Sequence, residues 1–172
     1  LYKYLVVKAA DFLVAYRDPT TGLPKPSWNL WEDRRGVHTF TCSTVVAGLR
    51  AAANFAEIFE DSERTASYRY AANEIVAGMR DHLYSAELGR FLRSLQANGD
   101  DSLTPDITVD ASLFGTFYFG CFAHDDPMVV GTMKAIEYTL TNKGIGGVAR
   151  FENDGYMLES KGITGNSWII CT

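Results

Sequence analysis

Apolar residues recur every three to four positions in long stretches of the chain, which is the spacing that gathers them on one face of an α-helix. Local signals mark the ends of these stretches. Asp18-Pro19 with Gly22 closes the first one, and Asp126-Pro127 is typical of a helix start. Helices are therefore predicted over residues 1–17, 39–59, 63–84, 109–119 and 126–140, with a last one after Gly165-Asn166.

The connections between the predicted helices alternate between long and short. Residues 20–38, 86–108 and 144–165 form long loops that carry Trp, Arg and Asp, whereas residues 60–62 and 121–126 form short ones. Within the long loops we expect a short strand at 89–93, a turn at 98–101 and a short loop or strand at 147–154. Helices paired in this way predict an all-α toroid or solenoid of helical hairpins, with function gathered at one end.

Composition narrows the class of protein. A length of 172 residues suits one domain, and a hydrophobic content of 47% is enough for a core. A net charge of −5 argues against nucleic acid as a partner, since phosphate binding needs a basic face. No apolar run is long enough to span a membrane, so no membrane contact is predicted. The three cysteines, far apart and inside apolar stretches, are expected to be buried thiols.

Both ends of the chain suggest that residues 1–172 are part of a larger domain. The sequence begins at Leu1 and stops inside the apolar run Ser167-Trp-Ile-Ile-Cys-Thr172. Such a run would be exposed to solvent if the domain ended there. We therefore expect a piece of a catalytic or binding domain, and no compartment follows from the lack of a leader.

The stretch "PSWNLWEDRRGVHTFT", which begins at Pro26, combines indoles with charged residues. Glu32 follows Trp31 and is close in sequence to Trp28. A carboxyl group beside indole rings is poorly hydrated, which favours its protonated form, and cleavage of a glycosidic bond needs such a general acid. Flat indoles also suit the C–H faces of sugars. The alternative is that Glu32 and Asp33 form ordinary surface ion pairs while the tryptophans anchor a loop.

Other candidates allow both functional and structural interpretations. In "GGVARFENDGY", Arg150 and Asp154 could bind sugar hydroxyls or form a structural ion pair. Without further information, the residue types favour the structural ion pair. Asp110 is interpreted as a helix-start residue that complements the helix dipole. Trp168 is either a sugar-facing ring or a core anchor. The spacing of the three histidines matches no metal motif, so neither a metal nor another cofactor is predicted.

Several blocks in the chain resemble the glucoamylase and glucodextranase family of glycoside hydrolases. "WNLWEDRRGVHTFT" resembles the family's central motif, and "GGVARFEND" followed by "GNSWIICT" resembles a second block in the right order. "VDASLFG" is similar to a third. Asn29 stands where the family often has Asp, and Asp33 replaces the usual Glu.

The resemblance implies an (α/α)6 barrel, of which this chain is the middle to late part, and inverting hydrolysis at the non-reducing end of an α-glucan. An oligosaccharide or polysaccharide is the partner it implies, and no cofactor is needed. The general acid would fall on Glu32, with the catalytic base beyond the end of this chain. The implied substrate-binding residues are Trp31, Asp33, Arg150, Asp154 and Trp168.

Alternatives remain open at this point. Within the enzyme class, a glucodextranase or a trehalase is compatible with the same blocks. Outside it, the chain could be a helical-hairpin module that binds a ligand or protein without chemistry. An unrelated metal-dependent helical toroid is disfavoured, because no Asp-rich motif ends a helix.

Overall fold

A computed structural model of the chain describes residues 1–100, 102–158 and 162–172, so the predicted turn at 98–101 lies partly outside the described residues. The helices are α1 (Val7–Ala15), α2 (Thr39–Ile58), α3 (Ser62–His82), α4 (Gly115–Tyr118) and α5 (Pro127–Leu140). The strands are β1 (Ser27–Trp28), β2 (Arg35–His38), β3 (Tyr84–Ser85), β4 (Arg90–Phe91), β5 (Ser94–Ala97) and β6 (Leu103–Asp106). A π-helical turn, Tyr2–Val6, precedes α1.

The long helices α2 and α3 form a helical hairpin and supply much of the core. Leu49 and Ala53 on α2 and Ile75 and Met79 on α3 are fully buried. Each pair follows helical spacing, so one face of each helix meets the other. Asp61 caps α3 by accepting a hydrogen bond from the backbone N–H of Arg64 at 3.3 Å. These helices confirm the prediction from periodicity.

A small antiparallel sheet, in the order β1-β2-β5-β6, lies in segments where the sequence predicted loops. The prediction of loops over 20–38 and 86–108 is therefore wrong where these strands lie. The strands are two to four residues long. Alternation of polar and apolar residues is not visible over so short a span, and the central pair, β2 with β5, joins distant parts of the chain. The predicted strand near 89–93 is present as β4, paired with β3.

Two predicted helices are shorter than the periodicity indicated. Residues 109–119 form a 3₁₀ turn, Ala111–Phe114, followed by the single-turn helix α4. The expected last helix is only the 3₁₀ turn Ile169–Cys171. A nucleus of one turn is marginal without packing against a neighbour, so apolar spacing over a few residues does not guarantee a helix.

The last segment is attached to the rest of the molecule by isolated antiparallel bridges. Phe151 pairs with Asp110 and Val148 with Thr141, while Ser167 pairs with Ala149 inside the segment itself. These pairs lay the loop that carries Arg150 beside the 3₁₀ turn after Asp110. Of the cysteines, Cys42 and Cys121 are buried free thiols as predicted, whereas Cys171 is half-buried.

Candidate functional site

The tryptophan-rich motif forms the loop of a β-hairpin. Trp28 in β1 pairs with Arg35 in β2, and the six residues between them make the loop. Asn29 is buried at its base, where its side-chain amide donates to Oδ1 of Asp33 at 2.6 Å. Its Oδ1 accepts from the backbone N–H groups of Asp33 at 3.0 Å and Arg34 at 3.4 Å. Asn29 thus ties the loop from inside, in the manner of an Asx turn.

Glu32 occupies the loop in a conformation that costs energy. Its φ of 59° lies in the left-handed region, which a non-glycine residue enters at a cost of roughly 1–2 kcal/mol. Its side chain is exposed, and Trp28 is 61% exposed. The expectation that indoles shield Glu32 from water is therefore wrong for the described part of the chain. The turn directs the side chain of Glu32 towards solvent. Strain of this kind is often stored at functional sites.

Trp31 turns inward from the same loop. Its indole Nε1–H donates to the carboxylate of Asp110, at 3.0 Å to Oδ2 and 3.3 Å to Oδ1. Its ring centroid lies 6.5 Å from that of Phe151. The ring is therefore oriented by a hydrogen bond at one edge and by aromatic contact at another.

Asp110 is a buried carboxylate with several partners. It accepts from the backbone N–H of Ser112 at 2.8 Å, and Nη1 of Arg93 lies 3.8 Å from its Oδ2. Burial raises the pKa of Asp110 above its ordinary value, while the bonds from Ser112 and Trp31 and the charge of Arg93 oppose that rise. The predicted helix-start role is present as the cap on Ser112. The contact with Trp31 was not foreseen.

Arg150 and Asp154 form a forked ion pair. Nε of Arg150 donates to Oδ2 of Asp154 at 2.7 Å, and Nη2 donates to Oδ1 at 2.8 Å. Burial alone would raise the pKa of Asp154, but the bonds from Arg150 and from the Tyr156 N–H outweigh it and hold this pKa below its ordinary value. The structural pair that the residues alone favoured is thus present.

The same guanidinium lies against a set of aromatic rings. Its carbon is 4.7 Å from the ring centroid of Trp168, 4.9 Å from Tyr156, 5.3 Å from Phe151 and 5.4 Å from Trp31. These distances are within the range of cation–π attraction. Arg150 is therefore held at a fixed point between the hairpin loop and the last segment of the chain.

These side chains border an open hollow of about 590 Å³. Its volume is in the range of pockets that bind small molecules, and its lining combines flat rings with a few charged groups. The lining residues are Trp31, Asp33, Arg150, Phe151, Asp154, Tyr156 and Trp168. Five of the six predicted site residues thus come together, and the sixth, Glu32, lies between two of them in the sequence but does not line the hollow.

Sequence reasoning missed three residues of this region. Phe151 and Tyr156 stand inside the block "GGVARFENDGY", where aromatic residues beside Arg150 were a usable signal. Arg93, buried over the ring of Phe151 at 5.3 Å, had no local signal. Within the described ranges, no group of three or more His, Cys, Asp or Glu side chains could hold a metal ion. In the same ranges, no helix is long and apolar enough to cross a bilayer.

Known proteins of one family are similar to this chain. The family model described as glycosyl hydrolases family 15 matches residues 20–172. An uncharacterized glycosyl hydrolase of Methanocaldococcus jannaschii is 28% identical over 86% of this chain and 22% of its own length. A glucoamylase of Clostridium sp. is 27% identical over 94% of this chain and 25% of its own length. The chain thus spans about a quarter of the length of these curated relatives.

Solved structures give the same answer for the fold. A bacterial glucoamylase complexed with acarbose matches 96% of this chain and 27% of its own, with a TM-score of 0.74 and 26% identity. A glycosidase variant in complex with glucose matches 83% of this chain and 34% of its own, with a TM-score of 0.64 and 23% identity, and supports the fold alone. The first likeness confirms the predicted (α/α)6 toroid class, to which the short strands described above are added.

Proposed function

This chain belongs to glycosyl hydrolase family 15, and from that premise we propose that it forms part of the catalytic domain of an exo-acting enzyme that releases glucose from α-glucans. The glucoamylase of Clostridium sp. and the bacterial glucoamylase complexed with acarbose support this choice of substrate. We favour α-1,4-glucans from non-reducing ends, with α-1,6-glucans and trehalose as the other substrates to test.

The observation that carries the proposal is the hollow around Arg150. Trp31, Tyr156 and Trp168 offer flat apolar faces there. Sugar rings present C–H faces that pack on such rings, and hydroxyl groups that need charged or polar partners. Arg150, fixed by Asp154, has three of its five N–H donors left after the two bonds to the carboxylate, and these can donate to hydroxyl oxygens.

Glu32 is proposed as the general acid. It follows Trp31 and precedes Asp33, both of which line the hollow, so a sugar bound there lies against its loop. The described residues leave the Glu32 carboxyl exposed to water, and a bound glucan would exclude that water. In an inverting reaction the acid protonates the leaving oxygen while a second carboxylate, about 6.5–9.5 Å away, activates water on the opposite face.

We place that second carboxylate outside the 172 residues, as the resemblance implies. The isolated chain is therefore expected to bind sugar weakly and to leave maltose intact. Maltose turnover by the pure chain that disappears in Glu32→Gln would show that the base lies within these residues and would overturn this part of the proposal.

The direct test is glucose release by the full-length protein from maltose, isomaltose and trehalose. Glu32→Gln is expected to lower kcat by about 10²–10⁴-fold, because the amide cannot donate an acidic proton. Glu60→Gln is the matched control, since Glu60 is also exposed and has a φ of 56° but belongs to the α2–α3 turn. Full activity in Glu32→Gln would remove Glu32 as the acid, and no release from any substrate would overturn the function.

Two observations favour a second candidate, a module that binds sugar without chemistry. Glu32 does not line the hollow, and Asp154 is occupied by Arg150. A binding module is expected to keep its affinity for maltose in Glu32→Gln and to show no turnover in either form. The enzyme is expected to keep its affinity in the variant but to lose its rate.

A further inference from the structure

We infer that Asp110 is a positioning residue that joins the two sides of the hollow by orienting Trp31 on one side and the Arg150 segment on the other. The inference rests on the proposed function for its kinetic test. Asp110 does not line the hollow, so it acts through the residues it holds rather than by touching substrate.

The side chain of Asp110 holds the hairpin loop. Both of its oxygens lie within hydrogen-bond distance of Nε1 of Trp31, 79 positions away in the chain. The carboxylate of Asp110 is buried, so water cannot compete for it and weaken the hydrogen bond from Trp31. Rotating the indole away would leave a buried carboxylate short of a donor, which is costly.

The backbone beside Asp110 holds the opposite side of the hollow. The N–H of Ala111 donates to the carbonyl of Arg150 at 2.7 Å, and the N–H of Glu152 donates to the carbonyl of Val109 at 3.0 Å. The N–H of Val109 in turn donates to Oε2 of Glu152 at 2.8 Å. Segment 109–111 is therefore a strand-like neighbour of segment 150–152, and a shift in one moves the other.

The positive charge of Arg93 lies near the carboxylate of Asp110. Nη1 of Arg93 faces Asp110 at 3.8 Å, while its Nε donates to Asp106 at 2.8 Å. The guanidinium also lies 5.3 Å from the ring centroid of Phe151, which lines the hollow. Arg93 thus completes a connection from the sheet, through Asp110, to both walls of the hollow.

The variant that separates these roles is Asp110→Asn. A single amide oxygen can keep the bond from the Ser112 N–H, but the NH2 group then faces the indole N–H of Trp31, and two donors repel. Asp126→Asn is the matched control, because Asp126 also caps a helix, accepting from the N–H of Met128 at 2.9 Å, and does not line the hollow.

The kinetic experiment is a double-mutant cycle in the full-length protein. Asp110→Asn and Trp31→Phe are each expected to lower kcat/KM on maltose about tenfold, and the double variant no further than either one, because both remove the same bond. Asp126→Asn should leave kcat/KM unchanged. If Asp110→Asn lowers kcat/KM by the same factor in the wild-type and in the Trp31→Phe background, Asp110 has a general structural role and the inference is overturned.

A spectroscopic readout keeps the inference independent of the proposed function. The indole N–H signal of Trp31 in ¹⁵N-tryptophan spectra is assigned by its loss in Trp31→Phe. It is expected to move and to exchange faster in Asp110→Asn, and to stay in place in Asp126→Asn. An unmoved signal would overturn the inference even if the enzyme is active, and a moved signal supports it even if no glucan is cleaved.

If Asp110→Asn does not fold, hydrogen exchange of the Trp31 indole N–H in the wild-type protein decides the matter. A donor held in a buried hydrogen bond exchanges slowly with solvent. Exchange much slower than that of the indole of Trp28, which is 61% exposed, supports the positioning role. Exchange as fast as that of Trp28 would overturn it.

Discussion

At the scale of single residues, the pairing of Arg150 with Asp154 decides how the hollow is charged. The carboxylate is buried and the guanidinium lies among aromatic rings, so neither group is well screened by water. Removing one partner would leave the other buried without compensation, which is strongly unfavourable. The pair therefore fixes one cation in the hollow while cancelling most of its net charge.

This pair predicts a dependence of stability on pH. The folded pKa of Asp154 is lowered from 3.8, so its contribution to the free energy of unfolding is complete above that value and is lost as pH falls through the folded pKa. Asp154→Asn is expected to cost about 2–3 kcal/mol at pH 7, since hydrogen bonds to a charged group are lost. The gap between wild type and variant should shrink towards pH 2.

Denaturant unfolding at pH 7 and at low pH measures that gap. Asp125→Asn, at an exposed position before α5, is the control and should change the free energy of unfolding little at either pH. A gap between wild type and Asp154→Asn that is equal at both pH values would contradict the assignment of the lowered pKa to the ion pair.

At the scale of elements, the hairpin that carries Trp31 and Glu32 depends on close approach of two backbones. Gly36 in β2 pairs with Gln96 in β5, and a Cβ added at Gly36 would lie 2.6 Å from the carbonyl oxygen of Leu95. The backbone of β5 cannot move aside as a flexible side chain can, because its hydrogen bonds hold it in the sheet. The glycine therefore sets the distance between β2 and β5, and with it the position of the loop above them.

Gly36→Ala is expected to lower the free energy of unfolding by about 1–3 kcal/mol, in the range of other overpacked sites. Gly99→Ala, in the connection between β5 and β6, has no heavy atom within 4 Å of the added Cβ and should be close to neutral. Thermal unfolding of the two variants makes the comparison. Equal stability of Gly36→Ala and wild type would mean that β2 and β5 are farther apart than described.

At the scale of the whole molecule, large apolar side chains remain exposed to water. Tyr4 is 81% exposed, Phe12 59% and Ile169 98%. Single exposed apolar residues are ordinary, but several on one helix and at one loop favour association with another surface. In a chain that spans about a quarter of its curated relatives, such faces suit contact with further helices.

The isolated 172-residue chain is therefore expected to associate with itself as its concentration rises. Sedimentation velocity over a hundredfold range of concentration measures this. The double variant Tyr4→Lys with Phe12→Lys should shift the distribution towards monomer, because both positions are exposed and the added charges repel. A chain that stays monomeric at every concentration would contradict the expectation.

The sequence by itself determined the parts of this protein that depend on near neighbours. Helices α2, α3 and α5 follow from apolar spacing, and the caps at Asp61 and Asp126 follow from residue type and position. Family blocks also identified five of the residues that line the hollow. The helices and their caps are predictable because their physical causes act within a few residues along the chain, whereas the lining residues came from the resemblance.

Tertiary structure alone decided the rest. The sheet joins short strands from separate loops, Trp31 reaches Asp110 across 79 positions, and the turn at Glu32 exposes a side chain that nearby indoles were expected to cover. Contacts between distant segments form only when the folded chain as a whole overcomes the entropy of closing long loops. No short pattern in the sequence records which distant partners will meet, so the contacts that join the site residues are visible only in the folded molecule.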